Sequence, residues 1–189
     1  MRLTTATQVR KKILGMGFEN LKIMKPSSCL VFNVEKNGKN YTLKIAKYDG
    51  VSNWQYQHLV KEKHFLEEMR GEEGIVDLEG FYDVPIDKDA RQVQKIFYPV
   101  ILARKYLEGE VEGNLNLSEE EKEIVRGTIE RSHNKGYSGL DLERRNFCYT
   151  PKGKLIYFDG GISKKSLNSK EFNLKKKIDL GKLEILLSN

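Results

Sequence analysis

The side chains best suited to chemistry cluster between Asp141 and Asp159. Asp141 is followed five residues later by Asn146, and thirteen residues beyond that by Asp159, which opens the triplet Asp159-Gly160-Gly161. Two short runs of strand character, Phe147–Thr150 and Lys154–Asp159, flank the turn Pro151-Lys152-Gly153. A hairpin there would bring three oxygen-bearing side chains to one mouth. Such a set suits phosphoryl transfer: an amide and a carboxylate hold hard Mg2+ ions against phosphates, while a second carboxylate orients and deprotonates an attacking hydroxyl. The D-x4-N spacing also arises in ordinary helix-end turns with exposed acids, so its surroundings matter.

Those surroundings read as strands first and helices later. Thr4-Thr5-Ala6 can cap a short basic helix that runs to Leu14 and stops at Gly15-Met16-Gly17. Asn20–Lys25, Leu30–Glu35 and Asn40–Lys47 alternate or are β-branched, and Asn37-Gly38 is a strong hairpin signal between the last two. Ser52–Met69 has helical periodicity, with Leu59, Phe65, Leu66 and Met69 on one face and Gly71 and Gly74 at its end. Glu62 falls on that same apolar face. An inward carboxylate is costly unless a cation meets it, although an exposed charge on a helix rich in Lys and Glu is the plainer alternative. Two further strands follow, Ile75–Val84 and Gln94–Tyr106, joined by a charged turn at Asp87–Arg91. Ser118 and Glu121 form a capping box for a helix reaching about Lys135, and a lysine-rich helix over Ser169–Leu187, interrupted or bent near Gly181, closes the chain.

The predicted class is therefore α+β, with five antiparallel strands and one helix in a first lobe and a mainly helical second lobe. The division falls at 1–107 and 108–189. At 189 residues, 39% hydrophobic and 32% charged, the chain can bury a real core and is too rich in large apolar side chains to be disordered. Its longest apolar run, Ile96–Ala103, is far shorter than a membrane span, and no apolar segment follows Arg2 and Arg10 as a signal peptide would require. Two cysteines and three histidines without ligand-like spacing predict neither a disulfide framework nor a structural zinc site, which makes a cytoplasmic setting the expectation. Residues 161–189 hold seven lysines and three acids, a net +4 within an overall +6. That excess reads either as a solvated helix face or as a contact for a phosphate-rich partner such as nucleic acid, nucleotide or anionic lipid.

Taken in order, these features resemble the protein-kinase-like superfamily over about residues 20–185. Asp141 matches the catalytic-loop aspartate and Asn146 its metal-binding asparagine, while Asp159-Gly160-Gly161 is similar to the Asp-Phe-Gly metal motif. Lys44, in Tyr41-Thr-Leu-Lys-Ile-Ala, stands where the third strand of a kinase carries its phosphate-binding lysine. Lys47, on the opposite strand face, is a weaker competitor for that role. Arg104-Lys-Tyr-Leu-Glu-Gly109 is similar to the kinase hinge, which implies that the backbone of Lys105 and Leu107 pairs with an adenine edge. The resemblance implies a bilobal kinase-like fold, ATP as phosphoryl donor, Mg2+ at Asn146 and Asp159, and Asp141, Lys44 and Glu62 as the catalytic set, with Lys44 as the cation that meets the inward Glu62.

The departures are specific. Lys25-Pro26-Ser27-Ser28-Cys29 replaces the glycine-rich loop, so backbone amides and the hydroxyls of Ser27 and Ser28 would hold the phosphates. Gly139 stands where the family has a histidine, Gly160 replaces the motif phenylalanine, and no Ala-Pro-Glu follows Asp159. So short a second lobe looks like the RIO and lipopolysaccharide-core kinases, whose closing helix is similar to Lys177-Ile-Asp179-Leu-Gly-Lys-Leu. Arg145, just before Asn146, is similar to the tyrosine-kinase loop, but one position does not set the acceptor. A hydroxyl acceptor, in a protein (as for a serine/threonine kinase) or a small molecule, is expected. A pseudokinase scaffold without turnover and an RNA- or ribosome-associated factor are the alternatives.

Overall fold

The computed structural model describes residues 3–23, 29–46, 54–83, 100–105, 116–150, 152–158, 163–165 and 167–188. Its contacts divide the chain into two units, one of residues 1–60 and 78–106, the other of 61–77 and 107–189. The architecture is α+β.

The first unit is built on one antiparallel sheet. Helix α1, Leu3–Gly15, leads into β1 Glu19–Ile23, β2 Leu30–Lys36 and β3 Lys39–Ile45; after helix α2, Trp54–Glu68, come β4 Leu78–Asp83 and β5 Val100–Lys105. The strand order is β1-β2-β3-β5-β4. Between β2 and β3, Asn37 and Gly38 both take positive φ, 52° and 70°, and close the register Lys36↔Lys39. Those angles are what a two-residue hairpin needs to match strand twist, which is why the Asn-Gly pair was legible. Alternation decides the core: Phe32 and Val34 of β2 with Leu43 and Ile45 of β3 meet Val9 and Ile13 of α1, and Phe18 packs beside them. Phe18 lies edge-on to Tyr41 and Tyr82, with centroids 6.2 and 6.4 Å away, and the Lys36 ammonium stands over its ring while donating to the Met16 carbonyl. The same alternation turns Lys44 to the face opposite Leu43 and Ile45, yet Lys44 is only 5% exposed.

Helix α2 runs across the division between the units. Its buried face is Leu59, Glu62, Phe65, Leu66 and Met69, so Glu62, 1% exposed, points inward as its spacing predicts.

The second unit joins the end of α2 to helix α3 Glu119–Asn134, strand β6 Tyr137–Ser138, a 3-10 turn Arg144–Asn146, the hairpin β7 Phe147–Tyr149 and β8 Leu155–Tyr157, strand β9 Ser163–Lys164 and helix α4 Lys170–Leu187. The capping box is present: Ser118 Oγ accepts from the Glu121 amide and Glu121 Oε2 accepts from the Ser118 amide. Three features differ from the sequence reading. Strand β4 starts at Leu78 rather than Ile75, because Ile75 bridges to Tyr157 and the Val76 amide donates to the Tyr157 carbonyl. Strands β6 and β9 pair, although two-residue strands carry no periodic signal. Helix α4 runs unbroken through Gly181, because Leu183, Leu186 and Leu187 beyond it bury the face begun by Phe172 and Asp179; that burial exceeds the roughly 1 kcal/mol a helical glycine costs. Among the described residues, no helix is long and apolar enough to cross a membrane.

Gly74 joins two elements of this unit. Its φ is +78°, its carbonyl accepts from the Tyr157 amide at 2.8 Å, and a Cβ would overlap Thr128 Oγ1 and stand 3.0 Å from Ile124 Cγ2. Gly74→Ala should therefore lower unfolding free energy by about 2–4 kcal/mol, combining left-handed strain with overpacking. Urea unfolding measures it, and a loss below about 0.5 kcal/mol would contradict this packing of α3.

Candidate active-site loop

The loop carrying Asp141 begins where α3 ends. Gly136 takes φ +85° beyond the helix, Tyr137 and Ser138 form β6, and Gly139 takes φ +71°. The positive φ at Gly139 turns two successive amides toward one acceptor. Gly139 donates to Asp179 Oδ2 at 2.9 Å and Leu140 donates to Asp179 Oδ1 at 3.0 Å. Asp179 belongs to α4 and is 0% exposed. Its Oδ2 also lies 3.0 Å from His133 Nε2, and an ionised carboxylate there accepts from that nitrogen's N–H. His133 is itself buried, edge-on to Phe172 with centroids 6.3 Å apart.

After this anchor, Leu140 and Leu142 point into the core and Asp141 between them is half-buried. The main chain of Asp141 is fixed by Asn146, whose Nδ2 donates to the Asp141 carbonyl at 2.8 Å. Asn146 is 3% exposed, and its own backbone is tied on both sides: its amide donates to the Glu143 carbonyl, and its carbonyl accepts from the Phe158 amide at 3.0 Å. Spending Nδ2 on the Asp141 carbonyl leaves Oδ1 as the amide atom that a hard cation could take. Arg145 lies exposed and pairs with Glu143, Nε to Oε2 at 2.8 Å.

Asp141 and Asn146 are thus brought together. Glu62 belongs to the same unit as they do, and Lys44 belongs to the other; both are buried. Lys105 ends β5. Ser27, Ser28, Lys47, Leu107 and Asp159 lie outside the described residues, as do Gly160 and Gly161. Asp159 follows directly on Phe158, the residue whose amide bonds to Asn146.

Two residues of the site escaped the sequence reading as functional: His133 and Asp179. The signal was present for both. Asp179 shares a helical stripe with Phe172, Leu183 and Leu186, and His133 continues the buried face of Val125, Thr128, Ile129 and Ser132. A titratable side chain on an apolar stripe is the same mark that singled out Glu62. No protein-family model matches the chain, and no curated protein matches it by sequence.

Removing the Asp179 carboxylate would leave two backbone donors and a buried imidazole without their acceptor. Asp179→Ala should cost about 3–5 kcal/mol of stability, the range for breaking a buried charged network. Asp179→Asn, which keeps one carbonyl acceptor, should cost less. Denaturant unfolding of both variants tests this, and equal, sub-kilocalorie losses would contradict the anchor.

Proposed function

We propose that the chain is an ATP- and Mg2+-dependent phosphotransferase of minimal, atypical kinase type, with a hydroxyl acceptor. The observation that carries this reading is the half-buried Asp141 whose carbonyl is held by Asn146 on a loop anchored from beneath. Two buried charges of opposite sign support it: Lys44 on the third strand of the sheet and Glu62 on the helix that follows. Kinase chemistry places a phosphate-binding lysine and its orienting glutamate on those two elements.

Phosphoryl transfer asks little covalent work of a protein and much positioning. In this reading the Asp141 carboxylate accepts the proton of the acceptor hydroxyl. The hydroxyl oxygen then bonds to the γ-phosphorus as the bond to the β–γ bridging oxygen breaks, leaving ADP. Lys44 holds the α- and β-phosphates and Glu62 orients Lys44. Ser27 and Ser28 contribute hydroxyls to the phosphates, and the backbone at Lys105 and Leu107 meets the adenine edge. Mg2+, held by Asn146 and Asp159, would neutralise the phosphate charge.

Gly139, in place of the expected histidine, favours a second reading, a nucleotide-binding scaffold without turnover. The backbone gives that glycine another reason. At φ +71° a side chain is strained, and a Cβ would stand 3.3 Å from Lys175 Cδ. A conformational need explains Gly139 without lost catalysis.

Thermal shift with ATP and measurement of ADP release separate the readings. The wild type should be stabilised by ATP in a Mg2+-dependent manner and release ADP, and Asp141→Asn should keep the stabilisation while losing about two to four orders of magnitude in turnover. Stabilisation without turnover identifies the scaffold, and no stabilisation at millimolar ATP removes both readings.

A double-mutant cycle on ATP binding tests the charged pair. Lys44→Ala and Glu62→Ala should couple by about 0.5–3 kcal/mol, with Lys47→Ala as the control. Strict additivity, or equal damage from the control, would exclude Glu62 as the residue that orients Lys44.

A further inference from the structure

Helix α4 has two apolar faces. Phe172, Asp179, Leu183, Leu186 and Leu187 are buried. On the opposite side stand Leu174, Ile178 and Ile185, which are 62%, 50% and 68% exposed. With Gly181 they fall at helical steps of four, three and four, so they form one stripe about three turns and roughly 17 Å long. Lysines rim it. Lys170 and Lys177 lie along one edge and Lys182 along the other, all exposed. Of the acids nearby, Glu171 is engaged by Lys165 and Lys175, each at 3.1 Å, and Glu184 stands beside the lysines. The rim is therefore net basic.

An exposed helix face that served only solubility would carry polar and charged side chains throughout, as Glu119, Glu123, Arg126 and Glu130 do on the outer face of α3. Aliphatic side chains between lysines ask for a surface that is apolar just beneath a layer of negative charge. We infer that α4 docks the protein onto an anionic phospholipid bilayer, with Leu174, Ile178 and Ile185 entering the acyl boundary and Lys170, Lys177 and Lys182 lying among the headgroups. Charge complementarity sets the occupant. Nucleic acid would satisfy the lysines but offers nothing to three aliphatic side chains, since its unstacked bases favour aromatic platforms and Phe172 is buried. A second copy would set each lysine rim against another one. The anchorage is peripheral, lying in the interface plane, and is independent of the phosphotransferase reading.

Co-sedimentation of the full chain with extruded vesicles tests this, using phosphatidylcholine alone and phosphatidylcholine with roughly 30% phosphatidylserine, the anionic lipid of the charged leaflet. Binding is expected to the second and not to the first, and should weaken in ~1 M salt, where screening is nearly complete. Lys177→Glu/Lys182→Glu should lose about fivefold or more per lysine. Ile178→Ser/Ile185→Ser, with charge unchanged, should also lose binding, and Leu174→Gln gives a milder variant at a second exposed position. Thermal unfolding at wild-type temperature establishes that each variant is folded. No binding to anionic vesicles overturns the proposal. So does full binding by the serine variant, or RNA binding that the serine changes leave intact while vesicles are ignored. A concentration-dependent dimer abolished by the serine changes, without vesicle binding, would assign the stripe to a second copy instead.

Discussion

The second unit depends on one buried carboxylate. Asp179 sits on the last helix with no solvent exposure, and a lone buried charge would cost several kcal/mol. It is tolerated because it accepts three hydrogen bonds, two from successive loop amides and one from His133. Those donors lie 39 to 46 residues earlier in the chain, so the carboxylate joins the end of α3, the loop and α4 at one point. The requirement propagates outward. Gly139 takes positive φ where the two amides face that acceptor, and its Cβ-free side is covered by the stem of Lys175.

From that anchor the position of Asp141 follows. Leu140 and Leu142 are buried on either side, which leaves the intervening carboxylate half-covered at the surface of the unit. Asn146 holds the carbonyl of Asp141 from the other end of the loop, and the short hairpin β7–β8 backs Asn146 through the Phe158 amide. The hairpin is braced in turn by the bridge between Ile75 and Tyr157 and by Gly74, which lets α3 approach closely. Each contact orders a group without itself reacting. Preorganisation of that kind is what the proposed phosphoryl transfer would draw on, because positioning accounts for much of such a rate.

The first unit answers a different constraint. Its sheet buries one face under α1 through the alternation of Phe32, Val34, Leu43 and Ile45, and that alternation commits Lys44 to the other face. A lysine there that is nearly inaccessible must be compensated, as must Glu62 on α2. Hydrophobic patterning thus fixes where both charges point before any function is considered.

Local rules account for what the sequence by itself determined. The Asn37-Gly38 turn, the Ser118–Glu121 capping box and the inward face of α2 with Glu62 each rest on residues a few positions apart. Dihedral preference, a four-residue hydrogen-bond cycle and helical periodicity are all carried by such short windows. Tertiary structure alone decided that Asp179 and His133 meet beneath the Asp141 loop, that β6 pairs with β9, and that Ile75 joins Tyr157 rather than extending β4. It also carried α4 through Gly181, where packing of the leucines beyond outweighed local propensity. These outcomes depend on which distant donors and apolar faces arrive together, and no short window contains both partners. A buried charge can announce from its stripe that it needs a partner; only the folded chain chooses which one.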